Sequence, residues 1–288
     1  MLPLMLSSRT ATTLGSGAIV LWASLASLTA LRGPIPTFQT TAIALAIGGC
    51  LVALVAIARG RAALLRPTAA SLLLGVAGLF GYHALYFAAL KLAPPAEASL
   101  ISSLWALFTV LFSGLLPGHR LRLAHVVGAL LGLSAATLLV WDKLGASHSH
   151  ASGLGFILAF ACALVWSTYS VALRLLPAVP SESMAIACLI TAALAYSCSL
   201  AFEAWTQPES PVAWLSLILL GIGPLGAAFV LWDIGMKRGN IPLLGVLSYA
   251  GTILSTALLI ALGLAEATLS LAAACLMMVM AAAIATRA

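Results

Sequence analysis

Four clusters of aromatic and hydroxyl residues interrupt the long apolar runs of this chain, and their spacing limits the chemistry they can perform. Tyr82, His83 and Tyr86 stand together, the tyrosines at i and i+4 on one helical face. Ser99, Ser102, Ser103 and Thr109 form a polar stripe around Ala106 with Trp105 at its edge. Trp166, Tyr169 and Ser170 recur at i, i+3 and i+4, while Ser248, Tyr249, Thr252, Ser255 and Thr256 repeat the helical pattern of the Ser102 stripe. Rings and hydroxyls without a fixed charge suit non-covalent recognition of a small solute with an apolar or aromatic body and a few hydrogen-bonding groups. A solute ammonium would rest against ring faces, and a carboxylate would take hydroxyl or helix-end donors. Two structural uses compete: membrane Ser and Thr bond their own backbone carbonyls or neighbouring helices, and Trp and Tyr anchor at the interfaces. His83 is open to either use, as a proton carrier or as a hydrogen-bonded structural group.

Bond-making chemistry finds little here. An intramembrane enzyme needs a nucleophile and base, or a metal pair, within its spans, and no HExxH occurs. The GASH at Gly145 to His148 puts a serine beside a histidine, but in a polar linker that would not hold a catalytic geometry. His148 and His150 fall below the ligand count of a dedicated metal site, so no metal and no cofactor are expected. Five cysteines, Cys50, Cys162, Cys188, Cys198 and Cys275, lie in apolar runs without CxxC spacing and read as packing residues. Glu97, Asp142, Glu182, Glu203, Glu209, Asp233 and Glu266 all fall in loops or near span ends, so no buried carboxylate of the kind coupled carriers use is expected. That points to a facilitative carrier; proton coupling is the alternative, and a channel would be marked by single-channel currents.

The elements that must position these residues are apolar helices. Only 7% of the 288 residues are charged and 63% are hydrophobic, more apolar surface than a water-soluble fold covers. The net charge of +6 is scattered between apolar runs, which argues against nucleic-acid binding. A span needs about twenty apolar residues, and cutting at Pro, Gly and charges predicts spans at 12–31, 38–58, 68–90, 96–116, 122–140, 153–175, 183–203, 212–235, 242–262 and 268–286. The first is as long as the others and is expected to be retained rather than cleaved. With both termini cytoplasmic, that side holds Arg9, Arg59, Arg61, Arg66, Arg120, Arg122, Arg174, Lys237, Arg238 and Arg287, against Arg32, Lys91 and Lys143 outside. This bias predicts N-in, C-in insertion in the plasma (inner) membrane.

The chain also repeats itself. Ala88 to Thr109 runs parallel to Ile234 to Ser255 at an offset of 146, pairing Lys91 with Lys237 and Ser102 with Ser248. An offset of 144 pairs Trp22 with Trp166. Two repeats, 1–145 and 146–288, follow, joined by the polar Trp141 to Ser152. Five spans is an odd number, so the second copy inserts upside down. An all-α, ten-span inverted repeat around a central cavity lets one site open to either side in turn.

The ten spans, the repeated tryptophan-bearing first helix and the segment LKLAPPAEASLI resemble the drug/metabolite transporter superfamily, EamA type. Within it the chain is similar to the YddG-type bacterial aromatic amino-acid exporters. The resemblance implies a transporter of small amphipathic metabolites, aromatic amino acids first among them, with other amino acids, drugs or metabolites as alternatives. The Gly-Glu pair that the family often shows after spans four and nine has Glu266 as its second copy, but Gly118, His119 and Arg120 stand at the first. Gly221, Gly223, Pro224 and Gly226 in span eight, and Gly75, Gly78 and Gly81 in span three, are candidate hinges or close-packing positions. Gly128 and Gly132 form a GxxxG, pointing to helix contact or a weak homodimer, with a monomer as the alternative.

Overall fold

The computed structural model of the protein describes residues 6–93, 95–118, 121–140, 153–264 and 269–287, and every regular element among them is helical. The linker Trp141 to Ser152, with His148 and His150, lies outside the described residues, as do His119, Arg120 and Glu266.

Helix starts follow from local chemistry. Ser7 accepts a hydrogen bond from the Thr10 amide and opens α1, Ser8–Ala23. Thr68 does the same for α4, Ala69–Leu92. Ser210 and Asn240 cap α10, Pro211–Ile222, and α12, Ile241–Ala261, each with a proline in the first turn where its missing N–H costs nothing. The third helix, α3, Thr37–Ala58, has Pro36 at its cap position and no hydroxyl there. Its free amides are met from a distance, because the Glu203 carboxylate accepts from Phe38 N at 2.9 Å and Gln39 N at 3.0 Å.

The other elements are α2, Leu25–Leu31; α5, Pro95–Ser102; α6, Leu104–Ser113; α7, Leu123–Val140; α8, Gly153–Ala172; α9, Met184–Phe202; α11, Ala228–Arg238; and α13, Leu269–Thr286. Seven helical stretches among the described residues are long and apolar enough to cross a membrane, where the sequence predicts ten. Three shorter apolar helices, Ala98–Ser113, Leu123–Leu138 and Ala272–Thr286, fall within the fourth, fifth and tenth predicted runs.

Packing sorts the helices into two groups. In one, α3 packs on α9 and α4 packs on both α8 and α9; in the other, α1 packs on α11 and α12, and α7 on α12 and α13. Between the groups, α6 touches both α8 and α12. The eighth predicted span changes group part-way. Its first half, α10, packs on α3; its second half, α11, packs on α1. The two halves are joined by a π-helical turn, Gly223–Ala227, at the point where Pro224 lacks the N–H a regular helix would use.

The GxxxG of α7 is used inside the molecule. A methyl on Gly128 would lie 3.0 Å from the Ala281 carbonyl oxygen, and one on Gly132 would lie 2.5 Å from the Tyr249 ring. Those glycines therefore seat α13 and α12 within the chain.

Candidate functional site

Four helices bring one tryptophan each to a common point: Trp22 from α1, Trp105 from α6, Trp166 from α8 and Trp232 from α11. The Trp22 ring centroid lies 6.4 Å from that of Trp105, 5.6 Å from Trp166 and 5.1 Å from Trp232. Trp105 stands 6.1 Å from Trp166 and 5.8 Å from Trp232, and Phe229 fits beside Trp22 and Trp166 at 6.1 and 6.0 Å. Most of these pairs meet edge to face, as the ring quadrupole favours.

From this cluster a second aromatic row runs along α4. Tyr82 lies 5.1 Å from Trp166, stacks on Tyr86 at 5.9 Å and meets His83 at 5.4 Å. The Tyr86 hydroxyl and Ser99 Oγ are 3.0 Å apart, joining α4 to α5. Residues 81–88 are part-exposed all round the helix, whereas Gly75, Gly78 and Leu79 towards its start are buried. Tyr82, Tyr86, Trp22 and Trp105 thus keep accessible surface, while Trp166, Tyr169 and Trp232 beneath them are buried.

Helix discontinuities gather at the same place. α1 gives way to α2 at Ser24, two residues after Trp22; α5 gives way to α6 at Ser103, two residues before Trp105; and the π turn lies five residues before Trp232. Trp22 Nε1 donates to the Pro224 carbonyl within that turn at 2.9 Å. Irregular backbone inside an apolar bundle leaves polar groups to satisfy, and here an indole satisfies one.

Donor and acceptor balance gives the site its chemistry. Ser102, Ser103, Thr109 and Ser248 each donate to a carbonyl of their own helix, at 3.1, 2.7, 2.8 and 2.7 Å. In this arrangement their protons are engaged and the hydroxyls offer lone pairs, the back-bonded use that competed with solute binding. Trp232 Nε1 donates to Ser170 Oγ at 3.0 Å, so that Ser170 is a buried structural partner. The indole N–H groups of Trp105 and Trp166 make no hydrogen bond among the described residues. His83 Nδ1 donates to the Leu79 carbonyl at 2.7 Å, which fixes the tautomer and serves the structural use.

Other predicted residues are placed differently. Tyr169 is buried against Gly78 and directs its hydroxyl to Met184 Sδ at 3.7 Å. Tyr249 turns towards α7, its ring against Gly132, and belongs to a separate apolar cluster with Val246, Ala129 and Ala281. Ser248 is buried and Thr252 part-buried on α12. Of the candidate hinges, Gly75, Gly78 and Gly81 lie in an unbroken helix, and a methyl on Gly78 would lie 2.3 Å from Tyr169 Cγ, so close packing explains it. Gly221 and Gly226 also pack tightly, on Ile47 and Gly48, whereas Gly223 has nothing closer than Leu21 Cδ2 at 3.7 Å.

Sequence reasoning missed two features. Trp22 and Trp232 are members of the cluster, although Trp22 stood out only as a mark of the repeat. Asp233 does lie near a span end, as expected, but it is 1% exposed and paired with Lys237 at 2.8 Å, contrary to the expectation that no carboxylate is buried. The i,i+4 spacing of the two charges was the available signal.

Comparison with known proteins settles the family. The EamA-like transporter family matches twice, over residues 10–141 and again over 153–287. The chain belongs to the EamA-like transporter family. It is therefore a multi-pass membrane protein and a transporter rather than an enzyme. Over 283 residues it is 48% identical to the aromatic amino acid exporter YddG of Ancylobacter novellus, covering 98% of each chain. The Escherichia coli aromatic amino acid exporter YddG is 28% identical over 171 residues, 56% of this chain and 57% of that one. A protein of known crystal structure, 48% identical, superimposes with a TM-score of 0.93 over 98% of both chains.

Proposed function

We propose that this EamA transporter exports aromatic amino acids across the bacterial inner membrane by alternating access. The aromatic cluster is the observation that carries the reading: a part-exposed face of Trp22, Tyr82, Tyr86 and Trp105 over a buried floor of Trp166 and Trp232. An aromatic side chain would meet rings presented mainly edge to face. The hydroxyls of Ser102 and Ser103 have lone pairs suited to an ammonium, and the N–H groups of Trp105 and Trp166, unbonded among the described residues, suit a carboxylate. Tyr82, His83, Tyr86 and Ser99 line the approach in this reading. Ser248 and Thr252 supply hydroxyls from α12, while Tyr169, Ser170 and Tyr249 support the site from behind. The 48% identity to an exporter named for aromatic amino acids supports the same solute class.

Ten spans in two inverted repeats, 1–145 and 146–288, with both termini cytoplasmic, complete the proposal. The double family match on either side of the Trp141 to Ser152 linker supports the duplication, and the Lys and Arg distribution supports the orientation. The hinge is placed at Gly223 and Pro224. Transport is proposed to be facilitative, on a changed ground: the buried Asp233 carboxylate is already neutralised by Lys237.

Counterflow in proteoliposomes tests the assignment. Labelled phenylalanine, tryptophan and tyrosine are expected to exchange saturably, while charged amino acids are not. If the three aromatic solutes fail and unrelated metabolites exchange, the solute assignment falls and family membership stands. Uptake driven by an imposed pH gradient without a solute gradient would overturn the facilitative reading.

A further inference from the structure

Buried charge at a span end needs a reason, because taking an ion pair out of water costs about as much as the pair returns. Asp233 and Lys237 are 1% and 5% exposed, one helical turn apart near the end of α11. Their remaining bonds leave the helix. Lys237 Nζ donates to the Val179 carbonyl at 2.8 Å, and the Ser181 hydroxyl donates to Asp233 Oδ2. Both outside partners sit in the connection between α8 and α9. At the rim of the same connection, Arg61 lies 3.9 Å from Glu182 in a solvent-exposed pairing.

That connection and α11 belong to different helix groups. α8 and α9 pack with α3 and α4, whereas α11 packs with α1. The polar cluster therefore crosses the seam between the groups, at the end of the molecule where α1 begins. The repeat offset of 146 puts Lys91 and Phe87 in the places of Lys237 and Asp233 at the other end. There Lys91 is exposed, and Phe87 packs on Phe38 and His83 at 5.5 and 5.8 Å. One end of the pathway carries a charged clasp and its pseudo-symmetric counterpart carries aromatic rings.

We propose that Asp233 and Lys237, through Ser181 and Val179, form a polar latch that holds this end of the pathway shut and sets how readily it opens. The inference rests on the alternating-access reading, in which the two helix groups must part at this end. Parting them breaks the bonds to Val179 and Ser181 but leaves the ion pair within α11 intact. The latch can thus reopen without stranding an isolated charge, because water replaces only the two outside partners. Asp233 Oδ1 is buried without a partner among the described residues, so the cluster is incompletely satisfied when closed. An incompletely satisfied cluster holds the gate less tightly than a full network would.

Spin-label distances across the seam test this. Ala63 and Arg122 are exposed at this end, before α4 and α7. Labels at A63C and R122C, with Cys50, Cys198 and Cys275 changed to Ala, are measured by double electron–electron resonance in nanodiscs. The parent is expected to give one narrow distance. Ser181→Ala removes one hydrogen bond to a charged group across the seam and is expected to raise the fraction at longer distance about ten-fold. The neutral double variant Asp233→Asn/Lys237→Met is expected to raise it at least as much. Parental distances in folded Ser181→Ala and folded double variant overturn the latch, and Ser181→Ala alone decides if the double variant does not fold. Failure of counterflow with shifted distances removes the solute assignment and leaves the latch in place. A parent that shows no second distance even with saturating phenylalanine removes alternating access instead.

Discussion

Among the described residues the site holds two indole N–H groups without an acceptor, on Trp105 and Trp166. Donors spared from internal bonding are what a carboxylate-bearing solute needs. Trp105→Phe keeps the ring contact and deletes the donor. Counterflow of phenylalanine is expected to show KM raised roughly ten-fold with Trp105→Phe, the effect of losing one hydrogen bond to a charged group. Exchange of phenethylamine, which lacks the carboxylate, is expected to change little; equal losses for both solutes would remove Trp105 from carboxylate binding. Trp232→Phe is a contrasting case, because its N–H already serves Ser170. It should lower thermal stability by about 1–3 kcal/mol through a buried hydroxyl left without its donor, and a melting curve in detergent checks it. At this scale the sequence was informative about which residue types gather, since Tyr82, Tyr86, Trp105 and Trp166 do meet. It was silent on hydroxyl orientation, because a back-bonded serine and a ligand-facing serine have the same spacing. Asp233 was misjudged for a related reason: proximity to a span end was taken for contact with water, and the partners that keep it buried come from a connection more than fifty residues away in sequence.

Glycines of similar spacing do different work in different elements. In α4 the glycines of an unbroken helix let α8 and α9 approach, and Gly78 admits the Tyr169 ring so closely that a methyl would stand 2.3 Å from Tyr169 Cγ. Gly78→Ala is expected to cost about 1–3 kcal/mol by overpacking, whereas Gly81→Ala, whose methyl would meet Val165 Cγ1 at 3.4 Å, should melt near the parent temperature. Gly223 stands where the eighth span crosses from one helix group to the other. There a methyl meets only Leu21, at 3.7 Å, so Gly223→Ala should fold normally. A Cβ there still narrows the backbone range through which α10 and α11 can rotate. Turnover in counterflow is expected to fall several-fold with melting unchanged; unaltered turnover would move the hinge elsewhere. Pro224 made the break legible in sequence, but the matching glycines of α4 suggested a symmetry that the structure does not carry into helix geometry. Packing against a neighbouring ring decides that, and no single-helix pattern encodes the neighbour.

Across the whole molecule, charge sets direction where helices set only position. Basic residues flank the end at which α1 begins, including Arg59, Arg61, Arg66 and Arg174, while Arg32 and Lys91 mark the other end. Seven full-length apolar helices among the described residues are compatible with several topologies, and an odd number of spans would place the termini on opposite sides. Two antiparallel repeats require an even total and a linker on the far side from both termini. Fusing alkaline phosphatase, which folds only outside the cytoplasm, after residue 146 is therefore expected to give an active enzyme, and fusing it after residue 287 an inactive one. Green fluorescent protein at the same two places should show the opposite pattern. Matching signals at both positions would mean an even number of spans between them, which would break the inverted repeat, and with it the symmetry argument that places the latch at one gate and the aromatic rings at the other.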